Sequence, residues 1–209
     1  MTEIPSPIKQ VRRRKPWILI GVLSAVFILP LIAAWILYFN INRWQFGSTS
    51  HGEFIKPARE LVTASLPLPL AGGALAPDFF RGRWTLVYMS TAFCDPDCEE
   101  ALYVTRQVRF AMGQQIEEVQ RLYLVEGTPQ NPGKLLRLHP DLTVADIANA
   151  AGRNFVQQFS KNGHSAPQVG KFIYLVDPRG FYIMRYAINA KPEGLLKDLQ
   201  HLLGQDGGM

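Results

Sequence analysis

The stretch RWTLVYMSTAFCDPDCEEALYV, Arg83 to Val104, holds both cysteines of this 209-residue chain, Cys94 and Cys98. Its opening run, RWTLVYMS, is rich in aromatic and β-branched residues and predicts a buried strand. Apolar residues at helical spacing begin just after Cys98. Acidic residues occupy the first turn of that predicted helix, where they favour the positive end of the helix dipole. Both sulfurs are therefore expected at a junction between a strand and a helix.

Two cysteines four positions apart suit sulfurs that act together. The thiolate is the reactive and metal-binding form of cysteine, and the N-terminus of a helix favours it. Because residues four apart share a helix face, the two sulfurs could close a disulfide or hold one soft metal ion, such as Cu(I) or zinc. The alternative is a fixed disulfide without a further role, although so short a loop would restrict the unfolded chain little.

The rest of the chain predicts strands and helices in an alternating order. The segments are a strand in VQRLYLVEG (Val119–Gly127), a loop in TPQNPGK, a short strand and a helix in LTVADIANAAGRNFVQQFS (Leu142–Ser160), a hairpin in KFIYLVDPRGFYIMRY (Lys171–Tyr186) and a helix in KPEGLLKDLQHLL (Lys191–Leu203). Strand–helix–strand order implies parallel pairing with helices on the faces of the sheet. With the closing hairpin and helix, the order predicts an α/β thioredoxin-like domain with a central mixed sheet.

The run WILIGVLSAVFILPLIAAWILYF, Trp17 to Phe39, has 23 residues without a formal charge. About 20 such residues suffice for a helix to cross a bilayer. A cleaved signal peptide is the alternative, but its apolar region would span only about 7–15 residues. We therefore predict four segments: a basic N-terminus (1–16), a transmembrane anchor (17–39), a polar tether (40–56) and a thioredoxin-like domain (57–205).

Most of the net charge of +5 arises at the N-terminus. Five basic residues precede the apolar run: Lys9, Arg12, Arg13, Arg14 and Lys15. The positive-inside rule then predicts a cytoplasmic N-terminus, an anchor in the inner membrane and a domain in the periplasm. The remaining chain is close to neutral, which argues against a nucleic-acid partner. The sequence also lacks a phosphate-binding loop, a G-x-S-x-G elbow, an H-E-x-x-H pair and a paired C-x-x-C zinc set.

These features together resemble the Sco/SenC family, the membrane-anchored thioredoxin-like factors that help to build the copper centre of cytochrome c oxidase. The resemblance covers roughly residues 51–205 and is carried by the single anchor, HGEFIKPARELV, GRWTLVYMSTAFCDPDC, RLYLVEG and FIYLVDPRGFYIMRY. Its most specific element is the C-x-x-x-C pair one loop after an apolar strand, where most thioredoxin relatives have C-x-x-C. The resemblance implies that Cys94 and Cys98 bind copper or exchange electrons with the thiols of an oxidase subunit.

Two positions depart from the family pattern. Family members usually have proline directly after the first cysteine, where this chain has Asp95. The family's third copper ligand is a histidine eight residues before the aspartate of the hairpin, and that position is Val169 here. His164, in KNGHSAP, is the candidate replacement, with a solvated loop histidine as the alternative. Weaker candidates are His51, His139 and His201, and Met89 is expected in the core.

The sequence thus predicts a protein that assists cytochrome c oxidase maturation through thiol–disulfide exchange or delivery of Cu(I). As a thiol–disulfide oxidoreductase it would use Cys94 as the exposed attacking thiol and Cys98 as the resolving partner. As a copper carrier it would hold the metal with Cys94, Cys98 and His164. The expected partners are a respiratory oxidase subunit or its copper-supply proteins. The alternative is a non-catalytic assembly scaffold whose cysteines form only a structural disulfide.

Overall fold

A computed structural model describes residues 16–40, 51–160 and 167–206 of the chain. The chain divides into two units after Ser48. The first unit contains helix α1 (Pro16–Asn40), which covers the apolar run that begins at Trp17 and has Pro30 inside it. Across the described ranges, no helix combines the length and the apolar character that crossing a membrane requires.

The second unit is built on one six-stranded mixed sheet with the strand order β1-β6-β5-β2-β3-β4. Its strands are β1 (Glu53–Glu60), β2 (Trp84–Ser90), β3 (Val119–Val125), β4 (Leu142–Asp146), β5 (Phe172–Val176) and β6 (Phe181–Ala187). Its helices are α2 (Pro96–Ala111), α3 (Pro132–Leu138), α4 (Ala150–Gln157) and α5 (Pro192–Asp206), with a 3-10 helix (Gly113–Glu118) after α2. The strands, hairpin and helices predicted around the cysteines are confirmed, and so is the thioredoxin-like α/β class of this unit.

Strand β2 lies in the middle of the sheet and leads directly to the cysteines. It pairs in parallel with β3 and antiparallel with β5, and all seven of its residues are buried. A strand that is covered on both faces needs apolar side chains along its whole length, which explains why RWTLVYMS shows no polar alternation. The loop after β2 therefore starts from a strand that neighbours hold on both sides.

Side chains of β2 alternate between two hydrophobic clusters, one on each face of the sheet. Leu86 and Tyr88 pack in the cluster that includes residues of α2 and α5, whereas Val87 and Met89 pack in the cluster that includes residues of α4. This alternation is the period of two that a strand imposes. Met89 is fully buried, which confirms it as a core residue, and it belongs to the opposite cluster from Cys98.

Two elements were missing from the sequence prediction. Strand β1 begins at Glu53, inside the segment 40–56 that we assigned to the tether, and pairs antiparallel with β6. Only Ile55 in this edge strand is buried, so its hydropathy pattern carries no strand signal. Helix α3 begins at Pro132 within the predicted loop TPQNPGK, and none of its residues is buried. Both elements owe their place to backbone pairing or to neighbouring elements rather than to a local apolar pattern.

Candidate redox site

Cys94 and Cys98 occupy the junction between β2 and α2, as predicted. Cys94 lies in the loop that follows Ser90, the last residue of β2, and Cys98 lies in the first turn of α2. The two residues form a disulfide, and their Cα atoms are 5.2 Å apart. That separation is within the usual range for bridged cysteines. The pair therefore closes without moving either element.

Asp95 and Pro96 begin α2 between the two sulfurs. Asp95 is the N-cap residue: its backbone is extended, and its Oδ1 accepts a hydrogen bond from the backbone N–H of Cys98 at 2.9 Å. Pro96 follows at the start of the helix, where a backbone N–H would have no helical partner anyway. The departure from the family pattern at Asp95 thus has a local reason, because the Asp–Pro pair caps the helix and holds the backbone of Cys98.

The two sulfurs differ in their access to solvent. Cys94 is half-buried, whereas Cys98 is 0% exposed and belongs to the hydrophobic cluster below it. Thiol–disulfide exchange needs an open approach to the sulfur that is attacked. A partner thiolate would therefore reach Cys94 before Cys98. This difference agrees with the predicted order of attack and resolution, and the two roles stay predictions.

Tyr123 of β3 contacts the buried sulfur. Its hydroxyl oxygen lies 3.6 Å from Cys98 Sγ, and its ring stacks on Tyr88 with the centroids 6.1 Å apart. Burial raises the pKa of Tyr123, and burial followed by the nearby charge of Asp95 raises the pKa of Tyr88 far above its usual value. Both phenols therefore keep their protons at neutral pH, so Tyr123 O–H is available to donate to Cys98 Sγ when that sulfur carries a negative charge.

The described residues do not supply a third ligand for copper beside the cysteines. Val169, at the family's histidine position, packs against the cluster on the α4 face. Its neighbour Gly170 donates its backbone N–H to the carbonyl of Met89 at 2.9 Å, so this loop lies at the end of β2. In the ranges that the structure describes, no three Cys, His, Asp or Glu side chains lie close enough to hold a metal ion. His164 falls outside those ranges and stays a prediction.

Among the described histidines, only His139 lies in the cleft that Cys94 also lines. It is buried at the end of α3. His51 lies just before β1, with its Nδ1 3.2 Å from Oδ1 of Asp198, and His201 is exposed on α5. From the sequence these three histidines were equally weak candidates, because the distance between α3 and the cysteine loop in the folded domain has no signature in the sequence.

Arg121 in β3 is a buried cation beneath this cleft. Its guanidinium donates to Asp141 Oδ1 at 3.1 Å, to the carbonyl of Leu102 at 2.7 Å and to Thr105 Oγ1, so it links β3 to α2 and to the residue before β4. Burial lowers the pKa of Arg121 to about 10, against the opposing effect of Asp141. The sequence holds one indication of this cluster, which is the arginine in the apolar strand segment RLYLVEG. A charged residue in a buried strand requires polar partners nearby, so it predicts a buried polar cluster around Arg121.

His139 is held neutral beside Arg121. Burial, together with the positive charges of Arg121 and Arg106, lowers the pKa of His139 to about 4. Its Nδ1 lies 3.3 Å from Arg121 Nη2. Because a guanidinium only donates, Nδ1 accepts this hydrogen bond and the ring proton resides on Nε2.

Known proteins share the family and the fold of this chain. Residues 84–205 match the family described as transmembrane-like, thioredoxin-like, C-terminal domain. No curated protein matches the sequence. The solved structures that are similar include apo Sco1 of Thermus thermophilus, with 17% identity and a TM-score of 0.59 over 75% of this chain and 99% of that one. ScoI of Bradyrhizobium japonicum, solved with copper bound, has 19% identity and a TM-score of 0.52 over 68% of this chain and 98% of that one.

A third similar structure is BsSco, described as a member of the Sco family of cytochrome c oxidase assembly proteins in which a disulfide switch is identified. It has 12% identity and a TM-score of 0.50 over 71% of this chain and 96% of that one. At such identities the likeness establishes the fold, and at that level the resemblance to Sco/SenC proteins is confirmed. The family match at residues 84–205 spans more than half of the chain, and the protein therefore belongs to the transmembrane-like, thioredoxin-like C-terminal domain family.

Proposed function

We propose that the protein is a membrane-anchored, extracytoplasmic thiol–disulfide exchange factor that assists the maturation of cytochrome c oxidase. This proposal rests chiefly on the pairing of a half-buried Cys94 with a fully buried Cys98 at the start of α2. The Tyr123 hydroxyl on Cys98 Sγ adds a donor for the sulfur that becomes the leaving group. A disulfide that served only as a staple would need neither an accessible sulfur nor such a donor.

The exchange proceeds in two displacements. A partner thiolate attacks Cys94 Sγ, the Cys94–Cys98 bond breaks, and its electron pair leaves on Cys98, which then takes up a proton. A second partner thiolate attacks the partner's sulfur in the mixed disulfide and releases Cys94 as a thiolate. The partner has lost two electrons and gained a disulfide, and this chain has gained two electrons. The reverse sequence reduces a partner disulfide, and a second dithiol or disulfide protein resets the pair.

Trapping the mixed disulfide tests this chemistry directly. In the Cys98→Ser variant the resolving thiol is absent, so a Cys94 thiolate that attacks a disulfide of the partner should remain in the mixed disulfide with the partner's cysteine. The Cys94→Ser variant is the matched control and should trap nothing, because its remaining thiol is buried. Oxidase activity in cells should fall in both variants. A Cys94→Ser/Cys98→Ser double variant that still supports oxidase assembly would instead favour the non-catalytic scaffold.

The link to an oxidase is supported by the shared fold with Sco proteins, of which BsSco is described as belonging to a family of cytochrome c oxidase assembly proteins. The partner would be a respiratory oxidase subunit or one of its copper-supply proteins. Isolation of the adduct trapped by Cys98→Ser and identification of its second chain by mass spectrometry tests this assignment. An adduct with a protein unrelated to respiration would refute it.

Delivery of Cu(I) is a second candidate, favoured by the copper-bound structure of a ScoI protein with the same fold. Reduced Cys94 and Cys98 would offer two soft thiolates to Cu(I) as a cargo, with His164 as the third ligand. Val169 weighs against tight binding, because its hydrocarbon side chain has no lone pair. Titration of the reduced protein with Cu(I) against a competing chelator, beside His164→Ala, decides this point. Tight binding that weakens in the variant would establish the copper role.

We infer that the apolar run from Trp17 to Phe39 anchors the redox domain outside the cytoplasm. The inference rests on the 23 residues without a formal charge and on the basic residues that precede them. The periplasm permits the cysteines to be oxidised. The protein should resist alkaline extraction from membranes, and a membrane-impermeant thiol reagent should label reduced Cys94 in cells with a permeable outer membrane. Extraction into the soluble fraction would refute the anchor.

A further inference from the structure

The cleft beside Cys94 has a volume of about 450 Å³ and lies between one face of α2 and one face of α3. The α2 residues that line it include Pro96, Glu99, Tyr103 and Arg106. These recur every three or four positions, which is the spacing of a single helix face. Positions 134, 135 and 138 of α3 and its N-cap residue Asn131 also line the cleft and lie on one face of that helix. Two helices thus turn a face to this cleft, with Cys94 at one end.

The cleft is long enough for a short extended peptide. Ten residues separate Pro96 from Arg106 on α2, which corresponds to about 15 Å along the helix axis at about 1.5 Å per residue. An extended chain advances about 3.3 Å per residue, so about four to five residues cover this distance. A peptide whose cysteine meets Cys94 would therefore place a residue four positions away beside Arg106.

The wall of the cleft carries large apolar side chains that are partly exposed to solvent. Phe93 is 60% exposed, Tyr103 48% and Leu138 42%, and Leu135 lines the cleft beside them. Exposed apolar side chains that cluster next to a functional group are typical of interaction sites. The middle of the cleft therefore suits apolar side chains of a partner.

Arg106, at the far end of the cleft, has unused hydrogen-bonding capacity. Its Nη1 donates to the carbonyl of Leu138, and its guanidinium lies 5.5 Å from the centroid of the Tyr103 ring. Its Nε is buried without a hydrogen-bond partner in the described part of the chain, and its Nη2, which is not enclosed in this way, also donates to no described residue. The described residues also form no ion pair with it, whereas Lys134 is already paired with Glu99.

The charges run in one direction along the cleft. Glu99 and Glu100 line the end where Cys94 is located, with Glu99 paired to Lys134, and Arg106 lies at the other end. A carboxylate on a bound peptide would be repelled at the cysteine end and attracted at the arginine end. The guanidinium of Arg106, with its charge and its available Nη2–H donors, matches a carboxylate, because hydrogen bonds between charged groups are the strongest kind.

We propose that this cleft binds an extended segment of the redox partner that carries a cysteine at one end, apolar residues in the middle and an aspartate or glutamate about four positions away. The inference rests on the proposed thiol–disulfide exchange and names its substrate class. The partner's cysteine meets Cys94, its apolar side chains lie between α2 and α3, and its carboxylate accepts hydrogen bonds from Arg106. Arg106 is here a residue that selects the substrate and takes no part in the electron transfer.

The test uses the full chain in detergent and two pairs of synthetic peptides. One pair is Cys-Gly-Leu-Leu-Asp and its amide twin Cys-Gly-Leu-Leu-Asn, and the other has the reversed sequences, all with blocked termini. We expect the disulfide form to oxidise the acidic peptide of one pair about tenfold faster than its twin. Arg106→Gln should abolish this preference. Arg137→Gln removes the same charge from an exposed position of α3 outside the cleft and should keep it.

Further readouts separate the cleft from the chemistry and from the fold. Oxidation of dithiothreitol, which does not need the cleft, should be equal in the three proteins, and Arg106→Lys should keep part of the acidic preference. Fluorescent peptides with serine in place of cysteine report binding without exchange. In one outcome, the acidic serine peptide binds more tightly than its amide twin in an Arg106-dependent way while the cysteine peptides are not oxidised. That result would support the binding cleft and refute the proposed thiol–disulfide exchange. Equal rates for both twins in both orientations, or a preference that survives in Arg106→Gln, would overturn the cleft proposal.

Discussion

Reduction of the Cys94–Cys98 disulfide should leave the redox domain folded. The bridge joins residues only four positions apart. In the chain-entropy description, closing a loop of about five residues restricts the unfolded state by about 2 kcal/mol at 25 °C. Domains of this size are usually stable by about 5–15 kcal/mol. Asp95 still caps α2 after reduction, because its hydrogen bond goes to the backbone N–H of Cys98 and not to the sulfur.

Urea unfolding of residues 49–209, followed by circular dichroism with and without reductant, measures the difference. The Cys94→Ser/Cys98→Ser variant is the control. Its free energy of unfolding should equal that of the reduced protein and should not change when reductant is added. We expect the free energy of unfolding to fall by no more than about 2 kcal/mol. A fall of more than about 4 kcal/mol, or unfolding on reduction alone, would refute this reasoning. It would show that the bridge is a structural staple, as the scaffold alternative requires.

Three further predictions concern the groups around the site. Arg121→Met should lower the free energy of unfolding by about 1–3 kcal/mol, because it leaves the buried carbonyl of Leu102 and Thr105 Oγ1 without their donor, whereas Asp141 keeps Arg109 at 3.5 Å; an unchanged free energy in urea titration would argue against a stabilising role of these hydrogen bonds. His139, with its pKa at about 4, should stay neutral in NMR titrations down to about pH 5. Because an unfolded histidine ionises near 6.5, the domain should lose up to about 3 kcal/mol as the pH falls from 6.5 to 4, and His139→Gln should lack this step. Tyr123→Phe should slow exchange roughly tenfold with little loss of stability, because it removes the donor to the Cys98 thiolate; an unchanged rate with dithiothreitol would exclude that role.

Much of the redox site was predictable because it is local in the chain. The buried strand β2, the helix α2 and the two cysteines between them lie within one run of the sequence, and their hydropathy periods and cap residues act over a few positions. The hairpin around Asp177 and the terminal helix were predictable for the same reason. In contrast, β1 and α3 have almost no buried residues, so their sequences carry no pattern from which to predict them.

The sequence by itself determined the order of the elements other than β1 and α3, the thioredoxin-like class and the position of Cys94 and Cys98 at a helix start. Only the tertiary structure decided which sulfur is accessible, because Cys98 is buried in a cluster of residues from several elements and contacts Tyr123, which is 25 positions away. It also decided that His139 and Arg106 share a cleft with Cys94. These relations arise when separate elements pack on one sheet. Local propensities specify each element, but they contain no information about the side chains that a distant element will bring beside it.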